Sequence, residues 1–274
     1  MKSLSSNQGL TKACKKNGEV YYRAGITYRN KHISIGSFNH IDLGNKAYET
    51  ANAILREGMY TLSDYDKDFG LPFEKWVILM NYRDNGIYIR NPIYLRKNYF
   101  LYYIGKDNYY LFDTDDLFYY GHHKIMIRGG HLFVSDYGMQ VSILSRYGIK
   151  NYAVAGRDYR FINGNEHDLR YSNIEVINQY HGVSFSKWKG QPCYVAKIHI
   201  EGDYVVGRYP TEKEAAIAYN KAADTLRRSG FSKNFPINYV AEADEIEYAK
   251  LYHRLRISKN IRMFAVNYAE RADK

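Results

Sequence analysis

The chain has 274 residues, 45% of them hydrophobic and 25% charged, with a net charge of +10; this suits a folded chain of one to three domains and excludes wholesale disorder. No run of 18 apolar residues occurs, so no membrane-spanning helix is expected, and the N-terminal stretch lacks the apolar centre of a secretory signal. Cys14 and Cys193 are the two cysteines and stand far apart, which excludes a disulfide scaffold and a zinc ribbon and fits a reducing compartment. The excess charge is uneven. Residues 1–60 carry 9 basic and 4 acidic groups, residues 61–180 carry 14 of each, residues 181–240 carry 9 and 5, and residues 241–274 carry 7 and 6. Two separate positive blocks suit a polyanion such as nucleic acid; the plainer alternative is a solubilising surface bias. The 30 tyrosines read as compositional bias, most of them core or half-buried strand residues rather than platforms for bases.

In chain order, residues 1–18 are polar and expected to be loose. The segment "YYRAGITYRNKHISIGSFNHIDLGNKAYETANAIL" runs from Tyr21 to Leu55 as two strands and a helix. Residues 73–83, "FEKWVILMNYR", form an apolar helix or buried strand. Residues 85–160 hold strand-like runs between Gly-Asn-Asp turns: "GIYIR", "YFLYYIG", "YYLFD", "HHKIMIRGGHLFVSD" and "YAVAGR". The tripeptides at Gly86–Tyr88 and Tyr103–Gly105 are similar to those of GIY-YIG nucleases, but the gap is long and the Arg expected after the second is missing. Asp113, Asp115 and Asp116 lack the Gly turn and distal Glu of an EF-hand and read as a polar turn. His122 and His123, with His131, would point to opposite sides of a strand and not converge on a metal.

The run "CYVAKIHIEGDYVVGRYPTEKEAAIAYNKAADTL", from Cys193 to Leu226, repeats the first block. Ala24 and Ile26 match Ala196 and Ile198, Gly36 and Phe38 match Gly207 and Tyr209, and "AYETANAIL" matches "AYNKAADTL" without a gap. The first copy has one extra residue at its hairpin turn. In the second copy Gly202 of "EGD" is expected to supply a positive φ. Thr211 with Glu214 forms a capping-box pattern, and Ala215, Ala218, Ala222 and Leu226 form one helical stripe for the inner sheet face. One helix covers one face of a sheet. The other face carries Lys197, His199 and Arg208 and is expected to be open and basic, suited to a DNA major groove. The tail from 241 to 274 shows a helical stretch with Ile246, Tyr248, Leu251 and Leu255, for packing on the second module, for DNA, or for a second subunit.

The stretch from His181 to Leu226, with Gly182-Val183, Trp188, "YVAKI", "VVGRY" and an Ala-rich helix containing Tyr219, resembles the Apetala-two, or ethylene-response-factor, DNA-binding domain. The resemblance covers residues 181–227, with a weaker copy at 20–56 whose first strand is not obvious. It implies a three-stranded antiparallel sheet on one helix, with the sheet in the major groove. It also implies that Ser184, Ser186, Trp188, Lys197, His199, Val205 and Arg208 lie on the DNA side, with Tyr219 near a phosphate. The family favours Arg or Glu at the places of Ser184, Ser186, Lys197 and His199, so its base preference does not carry over. The matching outward positions of the first copy are Arg23, Thr27 and Arg29.

The stretch "YAVAGRDYRFINGNEHDLRYSNIEVIN" resembles the second half of a homing-type HNH nuclease, a family that often carries an appended Apetala-two module. Its general-base His falls at Phe161, its later Asn at Leu169 and its upstream ligand His at Ser142, none of which can replace imidazole or amide chemistry. A shifted constellation would have to draw on His167, Asp168, Asn163 and Asn165. The expected fold is α+β, with small antiparallel three-stranded sheet and helix modules at both ends of a central strand-rich, HNH-like (ββα) region. The expected segments are 1–60, 61–180, 181–240 and 241–274. The expected function is non-catalytic binding of double-stranded DNA, acting in transcription regulation, with no cofactor, no metal and no membrane. The resemblances imply a cytoplasmic protein of a bacterial nucleoid or phage-infected cell. The alternatives are an active HNH-type endonuclease and a phage or mobile-element interaction protein.

Overall fold

In a computed structural model that describes residues 9–151 and 153–272, the first strand, β1 (Leu10–Cys14), lies inside the stretch expected to be loose. Its "LTKAC" sequence has no strong alternation. It is set in place by antiparallel pairing, Leu10 opposite Ala24 through Cys14 opposite Val20 of β2 (Val20–Tyr28). β2 pairs in turn with β3 (Lys31–Phe38) through a two-residue turn, Arg29-Asn30, with both residues at positive φ. α1 (Ile41–Leu55) covers one side of this sheet, burying Ala47, Ala51 and Ile54 against Ala24, Ile26, Ile33 and Ile35. α2 (Phe73–Asn85), the "FEKWVILMNYR" segment, is a helix and adds fully buried Trp76, with Phe69 stacked on it. Gly86, from the first GIY-like tripeptide, ends α2 as a left-handed cap, so "GIYIR" is not a strand.

Two further three-stranded sheets follow. β4 (Ile93–Leu95), β5 (Tyr99–Gly105) and β6 (Asn108–Asp113) form one. After a 3-10 turn, Thr114–Asp116, and the short α3 (Leu117–His122), β7 (Ile125–Arg128), β8 (His131–Asp136) and β9 (Met139–Ser142) form the other. His122 and His123 therefore lie at a helix end and not in a strand. Each ring meets a carbonyl one turn back, of Phe118 and Tyr119.

The described residues divide into two compact units, one holding those up to Ser142 together with Asn165–Tyr171, the other holding those of Ile143–Gly164 and from Ser172 on. The expected 61–180 segment is thus shared between units. In the second unit β10 (Tyr159–Phe161) pairs with β11 (Ile174–Val176). No α-helix follows this hairpin before Glu212 among the described residues, so the helix of the expected ββα arrangement is missing. "YAVAGR" is not a strand over Ala153–Arg157, apart from a single bridge at Ala155, and its Tyr152 lies outside the described residues.

β12 (Val183–Trp188), β13 (Gln191–His199) and β14 (Asp203–Tyr209) make the second module's sheet, and α4 (Glu212–Arg228) packs on it. The repeat extends to details. Both sheets have a bulge at the same place, after Ala24 and after Ala196, and the extra residues, Ile35 and Val206, are buried. In both, a positive-φ glycine precedes the first strand and its carbonyl accepts from the bulged strand: Gly25 N to Gly9 O at 2.8 Å, Lys197 N to Gly182 O at 2.7 Å. Gly202 is not at positive φ; the bend at Ile200–Gly202 closes by Ile200 N donating to Gly202 O. Thr211 caps α4, accepting from Glu214 N at 3.2 Å, but Glu214 does not return the bond and takes Arg254 at 2.8 Å instead.

The tail packs on this module. α5 (Glu245–Arg254), α6 (Lys259–Ala272) and the link between them bury Leu251, Leu255, Ile257 and Ile261 with the core of α4, whereas Ile246 stays exposed. Lys221 Nζ donates to the carbonyls of Tyr252 and Leu255 where α5 ends. Buried Asn220 holds the segment that connects α4 to α5: its amide donates to Asn238 O, and its carbonyl accepts from Asn238 N. Asn220→Ala is expected to cost about 2–3 kcal/mol, because Asn238 then keeps two unsatisfied buried backbone groups. Urea unfolding checks this.

Candidate nucleic-acid interface

Alternation assigns the two faces of the β12–β14 sheet. Val183, Ala196 and Ile198 point to α4, so their neighbours point away. On the outer face Ser184, Val195 and Arg208 form one cross-strand row. Lys197 pairs with Val205, His199 with Asp203, Ser186 with Cys193, and Trp188 with Gln191. Ser184, Ser186, Trp188, Lys197, His199, Val205 and Arg208, all expected on the DNA side, therefore share one surface. Lys197, His199, Arg208 and Trp188 are exposed, the last at 51%. Val195 and Cys193 are buried although they belong to no part of the helix-side core.

The face is partly pre-arranged. The Arg208 guanidinium lies over the Trp188 ring, 4.2 Å from its centroid, which restricts the side chain while leaving its donors to other acceptors. His199 Nδ1 is 2.8 Å from Asp203 Oδ1, and this bond holds the exposed Asp203 carboxyl below the usual range. Asp203 is the one carboxylate among these rows. Gln191 and Asp203 also belong to the face, at strand ends where alternation gives little signal; Val195 follows from the alternation of Val195, Lys197 and His199 with Ala196 and Ile198.

Tyr219 does not reach this face. It is 1% exposed, in the core between α4 and the sheet, edge-on to His181 and beneath Gly182. The Ala stripe of α4 brings the helix so close to the sheet that a large ring at this position fills the interior. Tyr48 occupies the matching place beneath Gly9.

In the first module Arg23 and Thr27 do lie on the outer face, opposite Ser37 and His32. Arg23 Nη2 donates to Tyr21 Oη at 2.6 Å, with the guanidinium over the same ring. Arg29 does not share that face. It sits in the turn, and its guanidinium donates to Tyr82 O and Arg83 O at the end of α2. Arg29 lies one residue past the last paired row, Tyr28 with Lys31, where the strand alternation ends. Gly25 and Ser37 stand where the second module has Lys197 and Arg208, so on the outer-face rows Arg23 with Ser37, Gly25 with Ser34 and Thr27 with His32, Arg23 is the one Lys or Arg.

The positions aligned with nuclease chemistry are structural. Phe161 is half-buried in β10, edge-on to Tyr159. In the other unit, Ser142 ends β9 and Leu169 is 2% exposed. Asp168 is buried and held by Arg170 through two bonds of 2.8 and 2.7 Å, while exposed His167 stacks on Tyr110. This segment is a strand extension: Leu111 N donates to His167 O, and Leu169 N to Leu111 O. Asn163 N, in the second unit, donates to Asn173 Oδ1 in the turn of the β10–β11 hairpin. Among the described residues no three His, Cys, Asp or Glu side chains converge as metal ligands. No helix among them is long and apolar enough to cross a membrane. Comparison with protein-family models, curated proteins and solved structures gives no match for this chain.

Proposed function

We propose that this protein binds double-stranded DNA without cleaving it, seating the outer face of β12–β14 in the major groove in the manner of an Apetala-two module. The hairpin at 159–176 is then what remains of an HNH-like region, and the site of action is the bacterial nucleoid or a phage-infected cell, where such a protein regulates transcription. The observation that supports this reading is the outer face on which Lys197, His199 and Arg208 are exposed, with Trp188 stacked on the last, while α4 and the tail pack on the opposite side. A twisted sheet of this width fits the roughly 12 Å major groove, where side chains reach base edges and flanking cations reach phosphates. Arg23 and Thr27 give the first module a weaker face of the same form.

Binding is expected to fall steeply with salt. With about four phosphates neutralised, affinity should drop about 150-fold between 50 and 200 mM salt. Filter binding of a random duplex at the two concentrations tests this, and a flat response would defeat the proposal. Plasmid DNA incubated with Mg²⁺ or Mn²⁺ should remain un-nicked. Selection from a random duplex pool would give the preferred sequence.

A further inference from the structure

Beside the outer face, within the same unit, lies an open cleft of about 280 Å³. Its lining combines Lys150 and Arg157 with Ser184, Lys197, His199 and Asp203 of the sheet. The last four also belong to the reading face, so face and cleft form one continuous surface. Residues 143–164 thus supply two cations next to the sheet that the average charge of 61–180 conceals, since that segment is neutral as a whole.

The wall bearing Arg157 is fixed to the sheet. Buried Asn178 donates to Arg157 O at 2.7 Å and to Asp158 Oδ1 at 3.2 Å, and its own carbonyl accepts from Phe185 N of β12 at 3.0 Å. Asp158 accepts from Val154 N and from Arg157 Nε and Nη2. Burial would raise the Asp158 carboxyl, but the Arg157 guanidinium and these donors outweigh it and hold the group below the usual range. Asp158 is thus a satisfied, inward carboxylate. The Arg157 side chain remains 62% exposed, with Nη1 left for another acceptor. On the sheet, Asp203 is occupied by His199.

We infer that this cleft seats a DNA phosphate, with Arg157 as its anchor and Lys150 and Lys197 flanking it. The inference rests on the duplex-binding reading above. A ribbon lying in a major groove has a phosphate strand along each side, and a cation fixed beside the ribbon meets that strand. Arg157 would then position the duplex without reading bases.

The test uses the whole chain with two variants, Arg157→Gln/Asp158→Asn and Lys150→Ala. The double variant removes both charges, so it leaves no buried unpaired carboxylate and does not change net charge. Its melting profile against wild type checks folding. Against a selected duplex, the double variant should bind about 5-fold more weakly at 100 mM salt. The slope of log K against log salt should fall by about 0.9, the loss of one phosphate contact. The selected sequence should be unchanged. Lys150→Ala should reduce affinity in the same sequence-independent way. Unaltered slopes in both variants, while Lys197→Ala still weakens binding, would overturn the cleft assignment and leave the reading face standing. A flat salt response of the wild type would bring down both.

Discussion

Arg208→Ala is expected to weaken binding to the selected duplex about 5- to 150-fold and to relax preference at one base pair. The range corresponds to the roughly 1–3 kcal/mol of an Arg contact to a base edge. Arg208 is the strongest candidate for such a contact because it stands in the central row with Ser184 and Val195, and because Trp188 holds its guanidinium. A stacked guanidinium loses less rotamer freedom on binding. Trp188→Ala should therefore reproduce part of the loss in affinity while keeping the same base preference. Lys197→Ala should behave differently, weakening all sequences alike and lowering the salt slope by about 1, as expected of a phosphate contact. Affinity measured on the selected duplex and on single-base variants separates these patterns. If Arg208→Ala kept both affinity and selectivity, the outer face would not be the reading surface.

Gly182→Ala should be strongly damaging to the second module's fold, at about 2–4 kcal/mol. Gly182 has φ +70°, and a Cβ there would lie 2.4 Å from Lys197 O and 2.5 Å from the Tyr219 ring. Neither can withdraw. The carbonyl of Lys197 is part of a central strand, and the ring is enclosed in the core. The first module repeats the arrangement, with Gly9 at φ +81° and a Cβ position 2.2 Å from the Tyr48 ring. Gly9→Ala is expected to destabilise that module for the same reason. Urea unfolding of the two variants checks both, and an unchanged midpoint for Gly182→Ala would mean that Tyr219 does not lie against this glycine.

Much of the second module was legible. The alternation of Ala196, Ile198 and Ile200 against Lys197 and His199 set its two faces, and the Ala215–Leu226 stripe set the covering helix. The α+β class and the pairing of two similar modules were legible from the repeat. β1 was not, because "LTKAC" carries no period of its own and is defined by its partner β2. Arg29 was misplaced because alternation ends at a turn, and the turn's positive φ values sent the side chain to the end of α2. His122 and His123 were misread as strand residues because a six-residue helix is too short to show a helical period.

The sequence by itself determined which side of each small sheet is apolar, where its helix starts and that the fold is duplicated, since these depend on residues adjacent in the chain. Only the tertiary structure decided that Tyr219 is interior, that the tail closes over α4, and that Arg157 stands beside the outer face of β12–β14. Periodicity marks a face. What covers that face is decided by segments far away in the chain, through close packing and through bonds such as those of Asn178 and Asn220.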